Sequence, residues 1–453
     1  MKLGWIAAAG VVLMAVVLSG CEGGTSMLAP ENPIPLAAAS AHGRVMGGQQ
    51  PISGASIYLY AAGAGGYGSA ASSLLTRSTG HQDAQGNWYV QTGQDGTWAI
   101  TGDWNCPLSP SPSYLYVLAL GGVPGGSTAN PNLALLAALG PCSGVNSSTY
   151  VTVNELTTVA GIWALSPFMT GATNIGSSAS NQVGLAEAFA AVNSVANIQT
   201  GTASGPMLPA GATLPIAKIN TLADILSSCV NSTGGTAGDS SPCGKLFSAT
   251  TANSVAPTNT VAAAMNMAQN PAANVSALYR LLTATPPFLP DLQGAPTDLT
   301  IAINYTGGGL SAPAAIATDQ SGNVWVANSG GVTVSLFDDQ GNSKLGATGT
   351  TLGGVPQGIA IDLTGNAWVT ASNSDVYELN ADSGSILGFP LSGFDRPTGI
   401  AIDPTGEIWV VNSGNNTVSA VDTSGTPLAG SPFSGAALSS PTAIAINANA
   451  NEN

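Results

Sequence analysis

The side chains of this chain best placed to do chemistry are carboxylates that recur. Asp319, Asp362 and Asp403 each stand at one fixed distance ahead of Trp325, Trp368 and Trp409, with Gly322, Gly365 and Gly406 between. Repeated aspartates raise the question of calcium, which takes roughly six to eight oxygen ligands from alternating positions. Each segment offers one carboxylate and then a glycine, which is too few. The segments read instead as turns, in which the carboxylate caps backbone N–H groups and the glycine takes a positive φ. His42 and His81 are the only histidines, so no histidine base can act beyond them. No Gly-x-Ser-x-Gly turn, His-Glu-x-x-His helix, Ser-x-x-Lys pair or phosphate-binding Gly-x-x-x-x-Gly-Lys-Ser/Thr loop occurs. The cysteines, Cys21, Cys106, Cys142, Cys229 and Cys243, contain no Cys-x-x-Cys pair and lie far from both histidines, which argues against zinc. No catalytic residue, metal or cofactor is expected.

The aspartates belong to a longer phrase. Pro313-Ala-Ala-Ile-Ala-Thr-Asp319, Pro356-Gln-Gly-Ile-Ala-Ile-Asp362 and Pro397-Thr-Gly-Ile-Ala-Ile-Asp403 each lead through Gly to Trp-Val, at a period in the low forties. That period marks the blades of a β-propeller. Each blade is expected to run strand, Asp-Gly turn, tryptophan strand, with the indole filling the wedge between sheets. Third strands follow at Val332–Phe337, Val376–Leu379 and Val418–Val421, leading to second turns at Asp338, Asp382 and Asp422. Asn328 and Asn412 follow their tryptophans at one offset; they could line a channel mouth or satisfy local backbone. A fourth copy opens at Pro441-Thr-Ala-Ile-Ala-Ile-Asn447. The pattern over residues 298–453 resembles NHL-type propellers and, more loosely, the virginiamycin B lyase-like family. The resemblance implies a propeller fold and carries no activity of its own. Lyase-like and gluconolactonase-like propellers use a channel histidine or a cage of metal ligands, and the repeats here lack the histidine. Closure needs roughly four to eight blades, against three and one strand here. The expectation is therefore a shortened chain, or another chain that completes the propeller.

Ahead of the repeats the chain changes character twice. Residues 42–154 read as β structure, with Ile57-Tyr-Leu-Tyr60, Asn87-Trp-Tyr-Val-Gln, Asp95-Gly96-Thr-Trp98-Ala-Ile100 and Tyr114–Leu120 as strands. The order of Gly-x-Val, Pro-x-x-Gly-Ala-x-Ile-x-Leu and Asp-Gly-x-Trp-x-Ile resembles the transthyretin-like or carboxypeptidase-regulatory β-sandwich, which implies a spacer or stalk. Asn132–Leu139 reads as an apolar insertion of one or two helical turns. Residues 155–290 carry apolar stripes at helical spacing, such as Leu185, Phe189, Val192 and Val195, and are expected to form a small helical domain. Residues 291–297 are expected to be a linker, following the stiff Pro286–Pro290. Chain proximity favours Cys106–Cys142 and Cys229–Cys243 among the three possible disulfide connectivities.

The N-terminus points to a location. Lys2 precedes an apolar run from Trp5 to Leu18 that is too short to span a membrane and is closed by small residues, the form of an export signal over 1–20. Leu18-Ser-Gly-Cys21 resembles the lipobox of bacterial lipoproteins, which implies acylation of Cys21 and a membrane anchor. Glu22 in place of aspartate leans toward the outer membrane. Residues 21–41 read as a tether. Charged residues are only 7% of the 453, and the net charge is −15 with eight Lys and Arg. A nucleic-acid binder needs clustered cations, so nucleic acid is not expected. The whole reads as a mainly β protein with a helical middle and a non-catalytic, lipid-anchored role in the cell envelope, its repeats binding protein or glycan. A lyase- or lactonase-type enzyme and a purely structural component are the alternatives.

Overall fold

A computed structural model describes residues 40–447, apart from positions 103, 127, 389 and 436. The expected leader, Cys21 and the tether up to residue 39 lie outside the described residues. The first strand, β1 (Ser40–Gly47), alternates buried and more open residues, as a strand with one covered face must. It starts at Ser40, inside the segment expected as tether. Further strands are β2 (Gln50–Ser53), β3 (Ser56–Ala61), β4 (Trp88–Gln91), β5 (Thr97–Thr101), β6 (Tyr114–Leu120), β7 (Ala134–Pro141) and β8 (Tyr150–Val153). In one sheet β1 pairs with β2 and β5 antiparallel and with β8 parallel. In the other, β7, β6, β3 and β4 run antiparallel in that order. The two sheets share an apolar core that includes Val45, Ile52, Leu59, Trp98, Val117 and Leu135.

Three strands of the second sheet, β3, β6 and β7, have no solvent face. Strands β3, β6 and β7 are buried along almost their whole length, the pattern of strands covered on both sides. Leu59, Val117 and Leu135 point to the first sheet, while Tyr60, Tyr116 and Leu136 point to a helical layer. That layer contains α1 (Glu155–Leu165), α2 (Gln182–Val195), α3 (Ile216–Val230), α4 (Pro242–Ala249), α5 (Thr260–Gln269) and α6 (Val275–Tyr279). Helix α1 starts at a capping box of Asn154 and Thr157 and approaches the sheet so closely that a Cβ on Gly161 would meet Leu136. The apolar run around Ala134–Leu139 is a strand and not helical turns. An unbroken apolar run fits a doubly covered strand as well as a buried helix, and its register with β6, Leu136 against Leu118, decides the matter. As an edge strand, β7 would offer unpaired backbone groups. Leu136 N–H donates to Thr158 Oγ1 at 2.9 Å and Ala134 N–H to Thr260 Oγ1 at 2.9 Å, so helix side chains close that edge.

The helices therefore form no separate domain, because the core they need is the outer face of the sheet. The segment expected as a linker, 291–297, is packed, as Leu292 N–H donates to Thr221 Oγ1 at 2.8 Å, and so are the residues on either side of it. Phe288 is buried and its N–H donates to Asp224 Oδ1 at 3.0 Å. Asn220 donates to Pro290 O at 2.9 Å. Leu299 lies in the helical core, where Trp163 Nε1 donates to its carbonyl at 2.9 Å. Asn304–Tyr305 pairs with Ala212–Thr213. The body thus extends past 297, and the repeat sheets begin only at Pro313. The two disulfides are Cys106–Cys142 and Cys229–Cys243.

The repeats form three successive antiparallel sheets. The first contains β9 (Pro313–Thr318), β10 (Val324–Asn328) and β11 (Thr333–Phe337), the second β12 (Pro356–Ile361), β13 (Ala367–Ala371) and β14 (Val376–Leu379), and the third β15 (Pro397–Ile402), β16 (Ile408–Asn412) and β17 (Thr417–Val421). Short fourth strands, Thr350–Thr351 and Phe433–Ser434, edge the first and third. Trp325 packs with Ile359, Ala367 and Val369 of the second sheet, and Trp368 with Ile400, Ile408 and Val410 of the third. Each sheet is thus a propeller blade, and the first and second are each joined to the next through an indole. Pro441–Asn447 forms no ladder, but Thr398 Oγ1 donates to Pro441 O at 3.2 Å, beside the innermost strand of the third blade.

Candidate binding site

The repeated aspartates are engaged within their own turns. Asp362 Oδ1 accepts from Thr364 N–H at 2.8 Å and Asn366 N–H at 3.0 Å; Asp403 Oδ1 accepts from Thr405 N–H and Glu407 N–H, both at 2.9 Å; Asp319 Oδ1 accepts from Ser321 N–H and Asn323 N–H. Gly322, Gly365 and Gly406 have φ of 81°, 88° and 90°, which a side chain disfavours. The second carboxylate oxygen separates the copies. Asp362 Oδ2 accepts from Trp368 Nε1 at 2.9 Å and Asp403 Oδ2 from Trp409 Nε1 at 3.1 Å. Asp319 Oδ2 accepts from Asn323 Nδ2 at 2.8 Å, and the buried Trp325 Nε1 has no partner. In the second blade Asn366 Nδ2 is drawn off to Glu378 Oε1 at 2.9 Å; Leu336 holds the position of Glu378 in the first blade. Burial opposes ionisation of Asp403, yet donors from Thr405, Glu407 and Trp409 bring it down to about 2.

The second turns are capped by Asp338 and Asp422, but in the middle blade Asn380, and not Asp382, accepts the backbone N–H groups. Asn328 and Asn412 are buried. Each donates to two hydroxyls, of Thr333 and Ser335 and of Thr417 and Ser419, and accepts one backbone N–H. They serve the backbone rather than a channel mouth. Among the described residues no group of three or more His, Cys, Asp or Glu is placed to hold a metal ion.

Sequence reasoning missed a buried acid pair. Glu155, at the first turn of α1, has no exposure and accepts from Gly48 N–H with both oxygens, at 3.0 and 2.9 Å. Burial and nearby Asp224 raise it to about 8. Asp224 is 1% exposed, accepts from Phe288 N–H, and leaves Oδ2 without a partner. Burial raises it to about 7. Neither acid reaches solvent, so the pair holds the β1–β2 turn and the Pro286–Pro290 strap and does not meet a substrate.

An open, apolar feature of the repeats is the first blade's leading face. In register, Ile316 pairs with Val326, Ile359 with Val369 and Ile400 with Val410. Val324 pairs with Phe337, Ala367 with Leu379 and Ile408 with Val421. In the second and third blades these four positions bury against the blade before. In the first blade no blade precedes. Ile316 is 67% exposed, where Ile359 and Ile400 are 9% and 8%. The entering segment, with Ile303, Tyr305 and Leu310, walls the outer side and leaves a cavity of about 600 Å³ over Ile316 and Val326. Aliphatic groups dominate the lining, and its Asp338 is held in its own turn by Gln340 and Asn342 N–H groups. Such a lining can bury an apolar segment.

The family model for the NHL repeat matches residues 394–420, the third blade. Among solved structures, an inactive virginiamycin B lyase from Staphylococcus aureus with quinupristin is 19% identical over 28% of this chain and 44% of its own, with a TM-score of 0.26. A streptogramin B lyase is 18% identical over 28% of this chain and 43% of its own, at 0.25. A protein of unknown function from Bacteroides caccae is 18% identical over 33% of this chain and 54% of its own, at 0.26. The matched part thus spans about half or less of each of these chains. No curated protein matches.

Proposed function

We propose that this chain is a non-catalytic, lipid-anchored component of the cell envelope that binds a protein segment on the leading face of its first blade. The observation that carries this reading is Ile316, exposed over an apolar cavity at a position its two counterparts bury. A blade face of this kind is built to be covered, and exposed apolar patches mark interaction sites. Protein is favoured over glycan because sugar recognition wants aromatic platforms ringed by hydrogen-bonding groups, and this lining is chiefly aliphatic. The acyl anchor at Cys21 would hold the surface at a membrane; its replacement by serine should move the chain from the membrane fraction to the soluble one.

The binding role is tested by a benzophenone side chain placed at position 316 in cells of the source organism, with exposed Leu363 as the control position. Irradiation should give a discrete protein adduct from 316 and none from 363. No adduct, or equal adducts from both, would overturn the reading.

A further inference from the structure

We propose that the cleft between α2 and the second turn of the first blade binds an organic cation, an ammonium or guanidinium group carried on an apolar body. This goes beyond the role proposed for the leading face and does not depend on it. The cleft is a cavity of about 470 Å³. Its walls come from three places in the fold: Val183 and Phe189 on α2, Tyr114 and Pro141 at the ends of β6 and β7, and the first blade. Phe189 and Tyr114 stack with ring centroids 5.2 Å apart. Apolar surface dominates the lining, and two carboxylates, of Glu187 and Asp339, stand in it. An apolar cavity with a few convergent polar groups is the usual form of a small-ligand site.

The carboxylates set the sign of the ligand. A Cβ built on Gly322 would clash with Glu187 Oε1 and meet Asp339 Cβ at 3.3 Å, so the acid of α2 reaches the blade beside the acid of its second turn. Among the described residues neither carboxylate accepts a hydrogen bond, and the ion pairs are Arg44–Asp95 and Lys218–Asp298, both elsewhere. The other acids of this blade differ, since Asp319 and Asp338 are spent on their own turns. Burial pushes the Glu187 carboxyl up from its ordinary 4.5, and the charge of Asp339 adds to it. Two like charges partly out of water are stabilised by a positive partner. The acid at 339 is also particular to this blade: Ala381 and Thr423 hold its place in the second and third. Two carboxylates are too few for calcium, which takes roughly six to eight oxygens. An ammonium or guanidinium needs only a few acceptors, and its carbon body can lie against the rings of Phe189 and Tyr114.

The test uses the purified full chain with four probes: hexylammonium, hexanol, hexanoate and acetyl-lysine methylamide. Saturation-transfer NMR should show hexylammonium bound at least tenfold more tightly than hexanol or hexanoate. Glu187→Gln should weaken hexylammonium at least tenfold, as expected for a lost hydrogen bond to a charged group, and Asp339→Asn, at a more exposed position, should weaken it less. Both variants should keep the melting temperature of the unaltered chain or raise it, because each removes a like-charge contact. The blocked lysine separates two sources of the cation. Binding as tight as that of hexylammonium assigns the cleft to a lysine side chain of another protein, and weaker binding assigns it to a free amine. Hexanol or hexanoate bound as well as hexylammonium, an affinity unmoved by both substitutions, no binding of either ammonium probe, or a lowered melting temperature in the variants each overturn the proposal. None of these outcomes bears on the leading-face reading, which is tested at position 316.

Discussion

The N-terminal body and the repeats bury their apolar residues in opposite ways. In the body, one sheet of β3, β6 and β7 serves two cores at once, so residues from Tyr58 to Leu299 share a single cluster. In the repeats, each core joins a blade to its neighbour only, as Trp325 does for the first two and Trp368 for the last two. A shared core is closed on itself and ties distant parts of the chain together. A serial core can be extended indefinitely and has two ends that nothing within it can cover. The difference fits the place of the two disulfides and of the Glu155–Asp224 pair in the body, where long-range closure must be held. It also explains why the exposed apolar strip lies in the repeats.

The strongest way to break this comparison is to remove one indole. Trp368→Ala should cost about 3–5 kcal/mol and should act on the repeats alone. Calorimetry should then show an early transition for the repeats and an unshifted one for the body. A single transition that moves as a whole would mean the two regions share their cooperativity, and the contrast would be lost. Next in size is the Cys229–Cys243 bridge, which joins the end of α3 to α4. Replacing both cysteines by serine should cost about 3 kcal/mol for a loop of this length, read as a lower melting temperature of the body with the repeats unmoved.

The buried acids give a third test. Glu155 and Asp224 stand at about 8 and about 7 when folded, against ordinary values of 4.5 and 3.8. A raised carboxyl favours the protonated folded state. Its contribution is complete below the ordinary values and is lost as the pH rises through about 7 and 8. The body should therefore be more stable at pH 5 than at pH 8.5, by several times the roughly 1.4 kcal/mol that one pKa unit represents, and so melt higher. Glu155→Gln, which keeps an acceptor for Gly48 N–H, should flatten that slope and stabilise the body at pH 8.5. A melting profile that is level over this range, or unaltered by Glu155→Gln, would remove the acids from the account.

What the sequence made legible follows the same division. The blades could be read because their signals are local and repeated: proline, aspartate, glycine and tryptophan stand at fixed offsets three times over. The body could be read only in part. Its helices at 182–195 and 216–230 announced themselves through apolar stripes, but β7 is apolar at every position and carries no period to tell strand from helix. Glu155 gave no warning, since its burial depends on Gly48 and on Asp224, both far away in the chain. The strap at Pro286–Pro290 looked like a spacer because proline stiffens a linker and a packed crossing alike. In the repeats the spacing places Asp382 in its second turn, as the structure does, but leaves open which residue caps it. Asn380 does so, because two oxygen acceptors stand within one turn and only backbone geometry chooses between them.

The smallest effect sharpens the comparison inside the repeats themselves. At its first turn the first blade differs from the others in what the aspartate holds: Asn323 Nδ2 takes the Asp319 oxygen that the tryptophan takes elsewhere. The buried Trp325 Nε1 is left without a partner. Leaving a buried donor unsatisfied costs about 1–3 kcal/mol, while a part-exposed side-chain bond contributes about 0.5–1.5. Asn323→Ser keeps the backbone N–H that Asp319 Oδ1 accepts and frees Oδ2 for the indole. The exchange should be neutral or stabilise the repeats by about 0.5–1 kcal/mol. The decisive readout is the indole N–H resonance of Trp325, which should move to the position of the hydrogen-bonded Trp368 and Trp409 and exchange more slowly with solvent. If that resonance stays where it is and the repeats lose stability, then the aspartate–tryptophan bond is set by the shape of each blade and not by competition within the turn. The three copies would then be less interchangeable than their wording implies.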